Sequence, residues 1–189
     1  MVTVLTIAAL GGADMRRWCG GWATRQGEVV AVPTAANLSV NAIPDAAAEL
    51  DNSIYKALAT PGEVIVFAHS QGAQVASEWL RRYADADRSR LRFVLTGNPE
   101  RAYFGYAARK PSWVWGGNLR GLTPDSTGYR VLDIGRESDR WANSPGGLAA
   151  LWAFLPHAGH LDYSKVNPDE IDPRHVAKTV GLTRYANLP

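Results

Sequence analysis

Cysteine, long apolar runs and runs of like charge are what this chain lacks. Its 189 residues include one cysteine, Cys19, which excludes an internal disulfide and has no metal-ligand spacing around it. We therefore expect Cys19 to be a small buried or half-buried residue. The formal net charge of +2 comes from dispersed Lys and Arg residues, so we expect neither a nucleic-acid partner nor a polybasic membrane patch.

The apolar segment that comes nearest to a targeting or membrane segment is the N-terminal stretch Met1–Leu10. It is too short to span a bilayer, and it lacks the basic residues with which a secretory signal begins. We therefore expect a first β-strand here, and neither a signal peptide nor a transmembrane segment in the chain as given. The site of action stays open between the cytoplasm and an extracellular, cell-envelope or virion location.

Length and composition predict a single domain over residues 1–189. With 46% hydrophobic residues, a chain of this length buries roughly 70% of its unfolded surface in one core. Strand-like and helix-like patterns alternate, which predicts an α/β fold with a mostly parallel sheet covered on both faces. After the first strand, the predicted strands are Glu28–Pro33, Glu63–Phe67, Leu91–Thr96 and Tyr129–Gly135, and the predicted helices are Asp45–Ala59, the segment after Ser70, Gly147–Leu155 and a final helix that begins at Asp172-Pro173.

The most informative stretch is Val64–Leu80, an apolar strand-like run that breaks at Ser70 and continues at helical spacing. This pattern is typical of a nucleophile elbow, a strained strand-to-helix turn that presents a serine hydroxyl above a sheet. Such a turn needs small residues two before and two after the serine, where Ala68 and Gly72 stand. The segment therefore predicts attack by Ser70 on an acyl group, with the Gln71 amide as the first donor to the oxyanion.

A serine nucleophile needs a histidine base, which in turn needs a carboxylate partner. In serine hydrolases built on such a sheet, the chain order is Ser, acid, His. Three histidines follow Ser70: His157 and His160 share a glycine-containing loop, and His175 falls in the final helix candidate. For the acid, Asp133 lies inside a predicted strand, whereas Asp139 follows that strand, where catalytic residues gather, and is the better candidate.

The irregular stretch between Asn98 and Gly128 is longer than an ordinary connection, which is typical of a functional loop or lid. It is rich in aromatic residues. One interpretation is an acyl-binding lip beside the nucleophile, and the other is ordinary packing. The sequence leaves both open for the aromatic residues Tyr103, Phe104, Tyr106, Trp113 and Trp115.

Several blocks, in order along the chain, resemble the PE-PPE domain of mycobacterial proteins and, more loosely, the cutinases and the lysin B esterases of mycobacteriophages. The Gly97-Asn98-Pro99-Glu100-Arg101 block is more specific than the elbow. The blocks are Val32–Ala35, Ala68–Ala73, Thr96–Arg101, Gly121–Gly128, Asp133–Asp139 and His160–Tyr163. The resemblance implies a cutinase-like serine α/β-hydrolase, a three-layer sandwich around a mostly parallel sheet.

Carried over to this chain, the family pattern implies Ser70 as nucleophile, Asp139 as acid and His160 as base. It also implies Gly12 as the second oxyanion donor, with its neighbours Gly11 and Ala13 still open. The expected activity is hydrolysis of short to medium acyl esters, from a small-molecule or lipid substrate, with no metal or organic cofactor.

Two positions depart from the family pattern: Ala68 replaces a glycine, which should tighten the turn, and Asn143 replaces a second aspartate. The second departure leaves Asp139 as the only acid in its loop. Because no PE or PPE leader precedes the domain, we expect a free-standing unit of an actinobacterium or one of its phages.

Two other functions remain open from the sequence. An acyltransferase would use the same site with a different acceptor, since a dry cleft favours transfer over hydrolysis. A non-catalytic hydrolase fold, kept for binding or for virion assembly, would be expected to have lost a member of the triad.

Overall fold

A computed structural model describes residues 1–9, 12, 14–34, 39, 41–114, 119–155 and 158–189. Strands and helices alternate through most of it, as the sequence predicts. The strands are β1 (Val2–Ile7), β2 (Glu28–Ala31), β3 (Glu63–His69), β4 (Leu91–Thr96), β5 (Arg130–Arg136), β6 (Val176–Val180) and β7 (Thr183–Leu188). The α-helices are α1 (Trp18–Gln26), α2 (Ala42–Leu58), α3 (Gln71–Arg82) and the short α4 (Tyr106–Arg109).

The strands form one seven-stranded sheet in the order β2-β1-β3-β4-β5-β7-β6. All neighbouring pairs are parallel except β6 with β7. In β3, Ala68 stands opposite Ile7 of β1 and Leu95 of β4. The carboxyl ends of these three strands therefore meet at one edge of the sheet, where Ser70 follows β3.

Strand β3 is buried on both faces, which explains why its sequence is continuously apolar. Val64, Val66 and Ala68 belong to the core cluster that packs beneath α2 and α3. Ile65 and Phe67 face the other way, into the cluster under α1 and the segment that holds Tyr163. Two layers thus cover the sheet, and the prediction of a three-layer α/β sandwich is confirmed.

The C-terminal prediction was wrong. Asp172 does cap a turn, because its side chain accepts a hydrogen bond from the Arg174 amide. However, only the single 3-10 turn Pro173–His175 follows, and the chain then forms β6 and β7. A local cap signal cannot show that β7 enters the sheet between β5 and β6, since that pairing is made by residues far apart in sequence.

Two further elements differ from the predictions. The segment Gly147–Phe154 is a 3-10 helix, and α1 was not anticipated because Cys19, Gly20 and Gly21 have left-handed backbone angles inside it. Cys19 is buried, as expected, and burial raises the pKa of its thiol to about 12.

The N-terminal apolar stretch forms the interior strand β1. Its neighbours β2 and β3 pair with it in parallel along most of its length. Within the described ranges, no helix is long and apolar enough to cross a membrane.

Candidate active site

Ser70 lies at the turn between β3 and α3 with φ 55° and ψ −117°, a left-handed conformation that costs energy for a non-glycine residue. Its amide donates to the Thr96 carbonyl at 3.0 Å, which ties the turn to β4. Gly72 is required by close approach, because a Cβ there would lie 2.3 Å from the Ile7 carbonyl oxygen. The structure therefore has the elbow that the sequence predicts, with the end of β1 packed against the start of α3.

His160 lies next to Ser70 in the fold, although the two are 90 residues apart in the chain. Its Nε2 lies 2.7 Å from the Ser70 hydroxyl oxygen. Its Nδ1 lies 3.0 Å from each carboxylate oxygen of Asp139. The structure thus brings the three predicted residues into one hydrogen-bonded line, with the Asp139 side chain fully buried and the imidazole only slightly exposed.

Asp139 is held by several donors besides His160. Its Oδ1 accepts from the amides of Trp141 and Ala142, and its Oδ2 accepts from the Tyr163 hydroxyl at 2.7 Å. Burial raises the pKa of Asp139, but the hydrogen bonds and charge of His160 and the Tyr163 hydroxyl outweigh it, and the pKa falls to about 2. The carboxylate is therefore ionised at any pH at which a histidine base would work.

Tyr163 is a site residue to which the sequence analysis gave no role. It is fully buried, and burial raises the pKa of its phenol well above the ordinary value of 10, so the hydroxyl keeps its proton and remains a donor. The signal available in the sequence was the spacing of three residues after His160, within one of the blocks of the family resemblance.

Two glycines allow the base to come close to its neighbours. A Cβ on Gly159 would lie 2.3 Å from the Ser138 carbonyl oxygen, so the turn before His160 packs directly on the acid loop. A Cβ on Gly97 would lie 2.5 Å from Cε1 of His69 and 3.2 Å from Cε1 of His160. The two imidazoles therefore share a space that only glycine leaves open.

His69 is fully buried behind the base. Its ring centroid lies 5.0 Å from that of His160 and 4.3 Å from that of Trp18, and its Nδ1 lies 3.1 Å from both the carbonyl and hydroxyl oxygens of Thr96. Burial, with a smaller effect from the neighbouring His160, lowers the pKa of His69 to about 3. His69 is therefore neutral and packs against the base.

Asp133, the alternative acid, is not part of this line. It is fully buried in β5, where Arg101 Nε lies 3.0 Å from one carboxylate oxygen and the Asn98 amide donates to the other at 2.8 Å. The same Asn98 amide donates to the Thr123 hydroxyl at 2.9 Å. Asn98, Arg101, Thr123 and Asp133, which come from three blocks of the family resemblance, thus form a buried polar cluster that is separate from the line of Ser70, His160 and Asp139.

The oxyanion donors are less completely defined. Gln71 is the first residue of α3, so its backbone amide lies at the positive end of the helix dipole. The Gly12 amide donates to the Ala9 carbonyl at 3.0 Å, so the turn after β1 would have to change for that amide to reach an oxyanion. The other two candidates from this loop, Gly11 and Ala13, lie outside the described residues.

The aromatic residues of the stretch between Asn98 and Gly128 do not all have the same role: some pack within the fold, and one contacts a ring beside the candidate base. Tyr103 and Phe104 pack against Tyr185 of β7, away from the base. Tyr106 is buried against Trp141, whose ring centroid lies 6.5 Å from that of His160. Among the remaining positions, Trp113 is exposed, and Trp115 lies outside the described residues.

The other predicted positions, His157, His175 and Asn143, are not part of the hydrogen-bonded line in the described residues. His157 lies outside the described residues, and His175 ends the 3-10 turn before β6. Asn143 lies in the turn after the acid, where its amide donates to the Asp139 carbonyl at 2.7 Å. In the part of the chain that the structure describes, no group of three or more His, Cys, Asp or Glu side chains is arranged to hold a metal ion.

The sheet order and the serine on the turn after an interior strand define an α/β-hydrolase fold. The chain belongs to the PE-PPE domain family, whose model matches residues 26–185. This membership confirms the resemblance drawn from the sequence and, at the level of class, the prediction of a serine ester hydrolase.

Solved structures agree with the fold. A cutinase-like protein from Cryptococcus sp. is 18% identical, with a TM-score of 0.64 over 86% of this chain and 86% of that chain. Lysin B from Mycobacteriophage D29 is also 18% identical, with a TM-score of 0.54 over 75% of this chain and 66% of that chain. A search of the curated proteins found no match to the chain.

Proposed function

We propose that the protein hydrolyses acyl esters of short to medium chain length through an acyl-enzyme on Ser70. The observation that supports this most directly is the hydrogen-bonded line from the Ser70 hydroxyl through His160 to Asp139, with distances of 2.7 Å and 3.0 Å. In this line the base activates the hydroxyl, and the carboxylate orients the base. A serine hydroxyl is a weak nucleophile until a base takes its proton, and the base needs a carboxylate to fix its tautomer.

In acylation, the Ser70 oxygen attacks the ester carbonyl carbon while His160 Nε2 takes the hydroxyl proton. The imidazolium that forms is stabilised by the ionised Asp139, towards which Nδ1–H points. When the tetrahedral intermediate collapses, the C–O bond of the ester breaks and Nε2 returns the proton to the departing alcohol. In deacylation, water attacks the acyl carbon and gives a proton to Nε2. The bond between the acyl carbon and the Ser70 oxygen then breaks, Nε2 returns the proton to that oxygen, and the carboxylic acid leaves.

The negative charge on the carbonyl oxygen needs donors that are already in place. The Gln71 amide is the first, because it stands at the start of α3, where the helix dipole is positive. The second donor is assigned to the loop after β1, at Gly12 or its neighbours. Gly72 allows the end of β1 to pack on the start of α3, since a Cβ there would clash with the carbonyls of Ile7 and Ala8.

The substrate class is an uncharged, lipid-like ester. Beside the base, the rings of Trp141 and Phe154 pack on each other at 4.9 Å and on the buried Tyr106 at 5.0 and 5.5 Å, which leaves Trp141 and Phe154 as an aromatic wall. An acyl chain gains free energy when it leaves water for such a surface. The structurally similar proteins named above are called a cutinase-like protein and a lysin B, which supports the same class.

Hydrolysis of p-nitrophenyl butyrate without added metal tests the proposal. We expect turnover by the native protein and losses of at least about 10⁴-fold in Ser70→Ala and His160→Ala, because the nucleophile and base act as one unit. His175→Ala is the matched control and should retain full activity, since His175 lies in the turn before β6. Equal activity in the native protein and Ser70→Ala would overturn the proposal.

A further inference from the structure

In the 3-10 helix Gly147–Phe154, small side chains are buried and large apolar side chains are exposed, which is the reverse of the usual pattern. With three residues per turn, positions three apart share a face. One such row is Ala150 and Ala153, which are buried, whereas another is Leu148, Leu151 and Phe154, which are exposed to between 41% and 62%. A segment stabilised only by packing on its own domain would bury its leucines and expose its alanines.

More large apolar side chains are exposed on either side of this row. Trp152 is 56% exposed and Leu155 equally so, and Leu161 is 65% exposed. We call these residues the apolar rim: Leu148, Leu151, Trp152, Phe154, Leu155 and Leu161. Such a concentration of exposed apolar side chains in one part of the chain is typical of a surface that binds a protein, a ligand or a membrane.

The apolar rim lies beside the candidate base. The Trp141 ring links the two, because its centroid lies 6.5 Å from that of His160 and 4.9 Å from that of Phe154. Leu161 directly follows His160 in the chain. Anything that covers the rim at Phe154 or Leu161 therefore lies close to the candidate base.

The chain segment that carries the rim has no charged side chain, and the nearby Arg109 of α4 donates to the Ser144 carbonyl. No Asp, Glu, Lys or Arg occurs between Arg140 and Asp162, and both of these flanking residues are engaged with protein groups. Arg140 donates to the Trp152 carbonyl at 3.1 Å, and Asp162 is paired with Arg136. Contact with an apolar phase would therefore bury no charge from within this segment.

We infer that the apolar rim docks the protein onto an uncharged lipid surface in which the ester substrate is dissolved. Leucines with a tryptophan at the boundary are the side chains that insert into the headgroup and acyl region of a bilayer. A protein partner is less well matched, because protein interfaces surround their apolar centre with a polar rim and hydrogen bonds. The kinetic consequence of docking rests on the proposed function, whereas docking itself does not.

Flotation with phosphatidylcholine vesicles tests docking without turnover when Ser70→Ala is used as the parent protein. We expect the parent to float with the vesicles and the further changes Leu148→Ser and Leu151→Ser together to lower the bound fraction by at least about tenfold, since two exposed leucines lose their burial in lipid. Leu182→Ser is the matched control, because Leu182 is 55% exposed but lies between β6 and β7. Binding should change by less than about twofold between low and high salt, since no charge takes part.

A second measurement links docking to turnover in the protein with Ser70 intact. The ratio of activity on an emulsified ester to activity on the same class of ester in solution should fall at least about tenfold in the double serine variant, and should be unchanged in Leu182→Ser. If the protein with Ser70 intact binds vesicles but hydrolyses no ester, the proposed function is refuted and docking is not.

Three results would overturn docking itself. These are no vesicle binding by the parent, equal binding by the parent and the double variant, or equal losses in the double variant and Leu182→Ser. A protein that does not float but forms a dimer dependent on Leu148 and Leu151 would assign the rim to a second copy of the chain instead.

Discussion

The two halves of the candidate site are built in different ways. The proposed nucleophile, Ser70, lies on a turn of a few residues, where its backbone is strained and Gly72 packs on the end of β1. The acid and base stand on a longer segment after β5, where Asp139 and His160 are positioned by hydrogen bonds between side chains and from backbone amides.

This difference determines how each half responds to change. Packing and backbone geometry hold the Ser70 turn, so a small change of its side chain should leave the fold intact. The acid–base half depends on a network around one buried carboxylate. Its members should therefore show graded losses of rate, according to how directly each one contacts Asp139.

Among the residues that position the base, the largest effect is expected from Asp139→Asn. The amide favours the wrong tautomer of His160 and cannot stabilise the imidazolium, so we expect kcat to fall about 10⁴-fold. The ionised carboxylate also contributes about 2 kcal/mol of stability above the ordinary pKa of 3.8, which is lost as the pH falls to the folded value of about 2. Steady-state kinetics and denaturant unfolding of the variant check the two parts separately.

Asp133→Asn provides the contrast. It leaves Arg101 buried without its carboxylate partner, so we expect about 3 kcal/mol or more of lost stability but a much smaller loss of kcat per folded molecule. The reverse ranking of the two variants in kcat would mean that Asp133 is the acid.

Tyr163→Phe should have an intermediate effect. It removes the hydrogen bond to the charged Asp139 carboxylate and the acceptor of the Arg136 amide, but nothing that touches Ser70. We therefore expect kcat to fall about tenfold with KM little changed. Tyr103→Phe is the matched control, because its hydroxyl also donates to a carboxylate, Asp125, but away from the site. Equal rates in both variants would show that the Tyr163 hydroxyl does not tune the acid.

The smallest effect on kcat is expected from His69→Phe, which should act instead on the pH dependence of stability. Because burial lowers the pKa of His69 from 6.5 to about 3, the unfolded chain binds a proton in this interval that the folded protein does not. The native protein should therefore lose stability on acidification about 1.4 kcal/mol per pH unit more steeply than the variant. Denaturant unfolding at several pH values checks this, and parallel slopes would show that the pKa of His69 is the same in the folded and unfolded chain.

The sequence predicts the nucleophile half well because its determinants are local. A buried strand, a serine and a helix follow one another between Glu63 and Arg82, and the bounds of β3 and α3 differ from the prediction by only a few residues. The position of β7 between β5 and β6 could not be predicted in this way, since nothing near Thr183 specifies its partners. The irregular α1 was missed for a related reason, because the left-handed residues at its start interrupt the helical pattern.

The acid–base half is predictable in its residues but not in its arrangement. The order of Ser70, Asp139 and His160 and the family resemblance single out the residues. The hydroxyl of Tyr163 on the acid, the neutral His69 behind the base and the close packing at Gly97 depend on side-chain positions that only the folded chain defines. The Gly12 donor stays a prediction from the resemblance.

The central claim is that Ser70 is activated as a nucleophile by the line to His160 and Asp139. The direct test is to treat the folded protein with a fluorophosphonate and identify the modified peptide by mass spectrometry. The account predicts one adduct, on the peptide that contains Ala68-His69-Ser70-Gln71-Gly72, lost in Ser70→Ala and much slower in His160→Ala. An unlabelled protein that is otherwise well folded, or an adduct on another residue, would contradict it.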